Sequence, residues 1–155
     1  MCIVIDTNCF NPVFDRANLK HPEFRPVLNW IVDGAGKIVF GGSKYKAELA
    51  RTPKILKFFS VLKRARKLVE VNQQRVDQWQ ARVEAIFDPR KHNDPHLPAI
   101  VSVSGCRLIC TEDKKSHALL KSKKCYPKSV VRPSIYSGAR NQDLLCDRYI
   151  ADICR

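Results

Sequence analysis

Short apolar runs alternate with amphipathic stretches along this chain. Cys2-Ile3-Val4-Ile5 is β-branched and breaks off at Asp6-Thr7-Asn8, the pattern of a fully buried strand with a polar tip. From Pro22 to Asp33, Phe24, Val27, Leu28 and Ile31 recur at three- and four-residue steps, predicting an amphipathic helix that Gly34-Ala35-Gly36 stops. Lys37-Ile38-Val39-Phe40 predicts a second buried strand. Gly41-Gly42-Ser43 then makes a turn, with Ser43 as N-cap of a helix carrying Tyr45, Glu48 and Leu49. Pro53 opens another helix that buries Ile55, Leu56, Phe58, Phe59 and Leu62, and Lys63, Arg64, Arg66 and Lys67 close it.

Leu68-Val69-Glu70-Val71 reads as a short extended piece, and Val76, Trp79, Val83 and Ile86 mark a helix from about Gln73 to Phe87. Asp94-Pro95 predicts the N-cap and first position of a helix to about Ser104, ended by Gly105. Arg107-Leu108-Ile109-Cys110-Thr111 is the third strand candidate, followed by a helix from Lys114 to Lys123. Ser129-Val130-Val131, ahead of Pro133, is the fourth strand candidate. Asn141 is placed to cap a last helix with Leu145, Tyr149, Ile150 and Ile153 inward. Strands alternating with helices predict an α/β fold, a three-layer α/β/α arrangement around a parallel sheet of about four to five strands.

A length of 155 residues with 45% hydrophobic positions fits a single domain, 1–155, with enough core to need neither disulfides nor a structural metal. No apolar run reaches the 18 or so residues of a membrane span, and the first residues carry no signal-like stretch, so no membrane and a cytoplasmic location are expected. Seven cysteines leave at least one unpaired; the expectation for this compartment is reduced, mostly buried thiols. The balance of 28 basic against 15 acidic residues, a net charge of +13, points to a polyanionic partner, with nucleic acid first.

Where the acids fall sharpens that expectation. In open α/β sheets ligands collect at the carboxyl ends of the strands. Asp6 follows the first strand, Glu48 lies one turn into the helix after the second, and Asp113 follows the third; Asp94, leading the helix before that strand, can join them. Four carboxylates brought together raise each other's pKa, and a hard divalent cation relieves that repulsion. Mg²⁺ or Mn²⁺ takes oxygen ligands and completes its shell with water and phosphate. Taken singly, each acid has an ordinary role: Asp94 as a cap, Asp6 and Asp113 as turn residues, Glu48 on an exposed helix face. Together they have the charge plan of a metal-dependent phosphodiesterase.

Asp6-Thr7-Asn8 after an N-terminal strand, Glu48 in Lys46-Ala47-Glu48-Leu49, Asp94 ahead of Leu97, Ala99 and Ile100, and Thr111-Glu112-Asp113 after Leu108-Ile109-Cys110 resemble the four acidic motifs of the PIN domain. The resemblance runs from residue 2 to about 132 and is closest to the small VapC-like ribonucleases. It implies a metal-dependent endoribonuclease that hydrolyses RNA to 5′-phosphate and 3′-hydroxyl ends. Carried over by residue, Asp6, Glu48, Asp94 and Asp113 would be catalytic and hold Mg²⁺ or Mn²⁺, with Asn8 and Thr111 supporting them. Toxins of this branch belong to toxin–antitoxin or defence modules, usually need a neutralising antitoxin protein and commonly dimerise. Two features depart from the pattern: Pro98 lies in the first turn or so of the Asp94 helix, and Glu112 beside Asp113 leaves open which of the two faces the metal.

Basic residues are dense from Lys54 to Lys67 and from Lys114 to Arg132. The second stretch starts beside Asp113, so Lys114, Lys115, Lys121, Lys123 and Lys124 are the nucleic-acid-binding candidates. His92, His96, Cys106 and Cys110 invite a zinc reading, but their spacing is unlike paired structural ligands. The two histidines fit better as loop or phosphate-side residues near the acidic edge. Two alternatives remain at this level: a structure-specific DNA nuclease using the same acids, and a catalytically silent RNA-binding module.

Overall fold

The apolar, β-branched side chains of Cys2–Ile5 leave no face for water, and in the computed structural model this segment, β1, is the middle strand of a five-stranded parallel sheet. The structure describes residues 2–88, 90, 92–146 and 150–155. The other strands are β2 (Lys37–Phe40), β3 (Leu68–Glu70), β4 (Leu108–Cys110) and β5 (Ser134–Tyr136), in the order β3-β2-β1-β4-β5. Ile3 pairs with Ile38 on one side of β1, and Val4 with Ile109 on the other. The chain builds outward from β1 to β3, then returns to add β4 and β5 on the opposite side. The order therefore reverses between β1 and β4, the point at which sheets of this kind form a crevice at their carboxyl ends.

Helices complete a three-layer α/β/α arrangement: α1 (Phe10–Phe14), α2 (His21–Val32), α3 (Ser43–Ala50), α4 (Pro53–Arg64), α5 (Gln73–Ile86), α6 (His96–Ser104) and α7 (Lys114–Lys121). α5 lies along α6, which in turn packs on β1 and β2, and α1 packs on α2. One contiguous core joins all five strands to the inner faces of these helices. Pro98, third in α6, sits where the helix has unpaired N–H groups, so its ring removes no hydrogen bond. Gly105 ends α6 in the left-handed conformation at φ 69°.

The turn after β2 differs from its expected form. Gly42, not Ser43, occupies the cap position, at φ 83°, and a Cβ there would lie 2.5 Å from Val76 Cγ1. This close approach brings the start of α3 against α5. Ser43 uses its N–H and hydroxyl on the Asp77 carboxylate, at 2.7 and 2.6 Å.

Three further expectations are corrected. The last strand is Ser134–Tyr136 rather than Ser129–Val131: beyond Pro133, the Ser134 N–H reaches the Arg107 carbonyl at 2.8 Å and starts the ladder with β4. The predicted C-terminal helix is replaced by 3₁₀ turns at Ala139–Leu144 and Asp152–Cys154, with Ile150 and Ile153 38% and 41% exposed; Tyr149 lies outside the described residues. Glu23 of α2 accepts from the Ala139 N–H at 2.9 Å, while Asn141 accepts from Ser137 rather than capping a helix. Finally, Cys2 and Cys154 form a disulfide, where reduced thiols were expected; Cys9, Cys106, Cys110 and Cys125 are buried free thiols. The C-terminal turn is drawn under β1, where Lys37 Nζ also donates to the Cys154 carbonyl at 2.9 Å. No helix of the described residues is long and apolar enough to cross a membrane.

Candidate active site

Asp6 leaves β1 at the point where the strand order reverses. Its N–H still belongs to the sheet, donating to the Cys110 carbonyl at 2.9 Å, while its side chain, fully buried, lies beyond the strand end. Thr111, the first residue after β4, donates its hydroxyl to Asp6 Oδ2 at 2.7 Å. The Asn8 N–H reaches Asp6 Oδ1 at 3.3 Å, which makes Asp6 the cap of the 3₁₀ turn Thr7–Cys9. Burial raises the pKa of this carboxyl, the charges of Glu48 and Asp113 add to the rise, and the bonds from Thr111 and Asn8 oppose it.

Glu48 comes to the same place through the register of α3. Tyr45, one turn earlier on that helix, is buried among Phe10, Phe40 and His96 and donates its hydroxyl to the Ile5 carbonyl at 2.7 Å. With Tyr45 pinned beneath β1, Glu48 projects to the tip of that strand. Thr7 then donates to Glu48 Oε2 at 2.6 Å.

Asp94, just ahead of α6, is 9% exposed. Its carboxyl is pushed up to about 6, first by burial and then by the negative charge of Asp6, with Glu48 and Asp113 contributing; Lys44 pulls it the other way. Lys44 is fixed by donating to the Asn93 carbonyl. Asp113 caps α7, accepting from the Lys115 N–H at 2.9 Å, and its own N–H donates to Thr111 Oγ1 at 3.2 Å. The neighbouring Glu112 is committed elsewhere, to Lys20 at 2.6 Å. Asp113, not Glu112, is the acid whose charge Asp6 and Asp94 feel.

The four acids predicted from sequence are thus electrostatic neighbours at one strand edge. Two supporting roles shift. The Asn8 side chain is exposed and only its backbone reaches Asp6, whereas Thr7 holds Glu48. His96, expected as a loop or phosphate-side residue near the acidic edge, begins α6 fully buried, with Nε2 3.7 Å from Glu48 Oε2 and neither ring nitrogen hydrogen-bonded. Burial, reinforced by Lys44, lowers its pKa to about 3, so the imidazole is neutral at ordinary pH. Its sequence position, two residues after Asp94, was the available signal. His92 instead packs edge-on against Phe87, 5.5 Å away.

The cysteines flanking β4 do not meet these histidines. Cys106 Sγ lies 3.2 Å from the Cys2 carbonyl and burial pushes its thiol up to about 11; burial and the adjacent Cys9 thiol raise Cys110 well above the ordinary range. Among the described residues no three His, Cys, Asp or Glu side chains form a ready-made metal cage. All four acids offer carboxylate oxygens, and the charges of Asp6, Glu48 and Asp113 add to the rise at Asp94. Mg²⁺ and Mn²⁺ suit such a set because they retain water and need few protein ligands.

The basic candidates divide along α7. Lys114 and Lys115 are exposed on its first turn, next to Asp113, while Lys121, Lys123 and Lys124 are exposed at and beyond its far end, with Lys121 about 10.5 Å from Lys114 at 1.5 Å per residue. The Lys54 to Lys67 stretch is largely the solvent face of α4 and its closing turn, with Lys54 3.8 Å from Asp15. No family model, curated protein or solved structure matches the chain.

Proposed function

We propose that the chain is a metal-dependent endoribonuclease of PIN type, cutting RNA phosphodiester bonds to leave 5′-phosphate and 3′-hydroxyl ends. The observation that carries the reading is the convergence of Asp6, Glu48, Asp94 and Asp113 beside the reversal point, with Asp94 raised to about 6 by burial and like charge. Such repulsion is costly unless a cation is to be bound.

In this reading the four carboxylates would hold Mg²⁺ or Mn²⁺, which when bound supplies an acidified water and neutralises charge on the scissile phosphate. Thr111 and Thr7 fix the rotamers of Asp6 and Glu48, so these acids are oriented before substrate arrives. Lys44 moderates the charge on Asp94. Lys114 and Lys115, without ion-pair partners among the described residues, attract the phosphate backbone to the edge where Asp113 lies. His96, neutral and buried, excludes water behind Glu48.

The test is incubation of labelled total RNA with purified protein and Mg²⁺ or Mn²⁺, beside EDTA and an Asp6→Asn/Asp113→Asn double variant. Discrete fragments with 5′-phosphate ends that vanish in both controls are expected. Salt-sensitive RNA binding without cleavage would replace the reading with that of a binding module, and cleavage confined to matched DNA would replace it with a DNA nuclease.

A further inference from the structure

A concentration of unpaired positive charge lies away from the acids, where α5 and the end of α6 meet the segment that leads into β5. Two adjoining hollows of about 400 and 410 Å³ share Pro127 and Val130 as a common wall. Lys123, Lys128 and Arg132 line the first; Arg75 and Arg82 line the second. Among the described residues no Asp or Glu lines either hollow, and none of these five cations forms an ion pair. Uncompensated cations gathered in a concave surface repel one another unless an anion is to be taken there.

The walls of this cleft are held in place by side chains. Trp79 of α5 donates its indole N–H to the Cys125 carbonyl at 2.8 Å, and the Ser102 hydroxyl of α6, which donates to the Pro98 carbonyl at 2.8 Å, lies 3.2 Å from the same Cys125 oxygen. The Arg82 guanidinium lies over the Trp79 ring, 5.0 Å from its centroid. Tyr126 donates its hydroxyl to the Leu120 carbonyl at 2.8 Å, and Arg132 spends one N–H on the Lys121 carbonyl at 2.9 Å, which fixes the guanidinium against the end of α7. A guanidinium has five N–H donors, so Arg132 keeps others for a ligand.

α7 joins this cleft to the acids. Lys114 and Lys121 are seven positions apart on its exposed face, the first beside Asp113 and the second joined to the cleft through its carbonyl, which accepts from Arg132. We propose that the cleft between α5 and residues 123–132 binds the phosphate backbone of the RNA strand several nucleotides from the bond that is cut, with Arg75, Arg82, Lys123, Lys128 and Arg132 contacting phosphates. The RNA identity of the strand rests on the ribonuclease reading; the phosphodiester chemistry rests on the cleft itself. Such contacts add affinity and register but little base selectivity. The cleft thus makes cleavage depend on strand length as well as on the scissile bond.

The experiment is fluorescence anisotropy of a 5′-labelled 20-nucleotide oligouridine in EDTA between 50 and 300 mM KCl. It compares the natural chain with Arg82→Gln/Lys128→Gln/Arg132→Gln and with a control that loses equal charge from α4, Lys57→Gln/Lys63→Gln/Arg64→Gln. The cleft variant is expected to bind at least about tenfold more weakly at 100 mM KCl and to lower the salt slope by about 2, at roughly 0.7 per phosphate contact on a single strand. The control is expected to change affinity less than about twofold. Equal weakening by both variants, or none by the cleft variant, overturns the proposal. Lys128→Glu alone, at an exposed position where substitution costs little stability, repeats the test and is expected to weaken binding about threefold or more. Cleft-dependent binding without any cleavage in Mg²⁺ would overturn the nuclease reading and support the cleft; cleavage with binding indifferent to the cleft variants would do the reverse.

Discussion

The Thr111 hydroxyl donates to Asp6 Oδ2 across 2.7 Å, and both residues are fully buried where β4 and β1 end side by side. One hydrogen bond therefore ties the two strands flanking the reversal point and orients the acid at the centre of the site. Asp6 carries a pKa above its unfolded value, so its ionisation weakens the native state as pH rises, and Thr111 limits that effect. Thr111→Val should lower stability by about 1–3 kcal/mol at pH 8, and by less as the pH falls and Asp6 takes up a proton. Urea denaturation in EDTA at pH 8 and at pH 3.5, below the 3.8 of an ordinary aspartate, checks this; an equal loss at both would show that the hydroxyl matters only for packing.

Asp94 shows the same sign more strongly. Its pKa of about 6 in the folded chain exceeds the 3.8 of an unperturbed aspartate, so between those values the native state holds a proton that the unfolded state releases. Stability from this group is complete below about pH 4 and is lost as the pH rises through about 6. Asp94→Asn should therefore stabilise the metal-free protein at pH 8 by about 1–3 kcal/mol, or roughly 2–4 °C in Tm per kcal/mol, and leave it unchanged near pH 4. Calorimetry in EDTA at the two pH values reads the difference. The same gain at both would mean that charge on Asp94 is not its cause.

Glu112 and Asp113 are adjacent acids with different tasks. Glu112→Gln removes an exposed pairing with Lys20, which is worth no more than about 1 kcal/mol, and should leave RNA cleavage within about twofold. Asp113→Asn keeps the cap on α7 but removes charge felt by Asp6 and Asp94, and should reduce cleavage by two orders of magnitude or more. Initial rates on one RNA substrate would separate them, and comparable losses from both would reassign the site.

His96 is neutral, buried and without a hydrogen bond on either nitrogen. An unsatisfied buried polar group costs about 1–3 kcal/mol, so His96→Leu should leave Tm unchanged or raise it. A fall of more than about 2 kcal/mol would mean that the ring has partners in solution, a bound water or Glu48 itself.

How far such features were legible beforehand depended on where their causes lie. β1, β2 and β4 are legible because a strand buried on both faces must be apolar throughout, as Cys2–Ile5 is. β5 is not: Val130 and Val131 are better strand formers than Ser134, but Pro133 and the Arg107 carbonyl place the ladder after the proline. The helical spacing of Leu145, Ile150 and Ile153 misled for a similar reason, since Glu23, 116 residues from Ala139, takes the N–H that begins the 3₁₀ turn. At the site, the acids stood out by their order after strands. Which of Thr7 and Asn8 turns inward is decided by the 3₁₀ turn that contains them both, and the burial of His96 by α6 packing on the sheet; neither is written in local spacing.

The link between Cys2 and Cys154 spans 152 positions and encloses nearly the whole chain in one covalent ring. A protease that nicks an exposed loop inside that ring, such as the turn at residues 15–20, would release no fragment until the bridge is reduced. Digestion followed on gels with and without reductant would therefore give two different pictures of the same cuts, a single intact-looking band in one lane and separated pieces in the other.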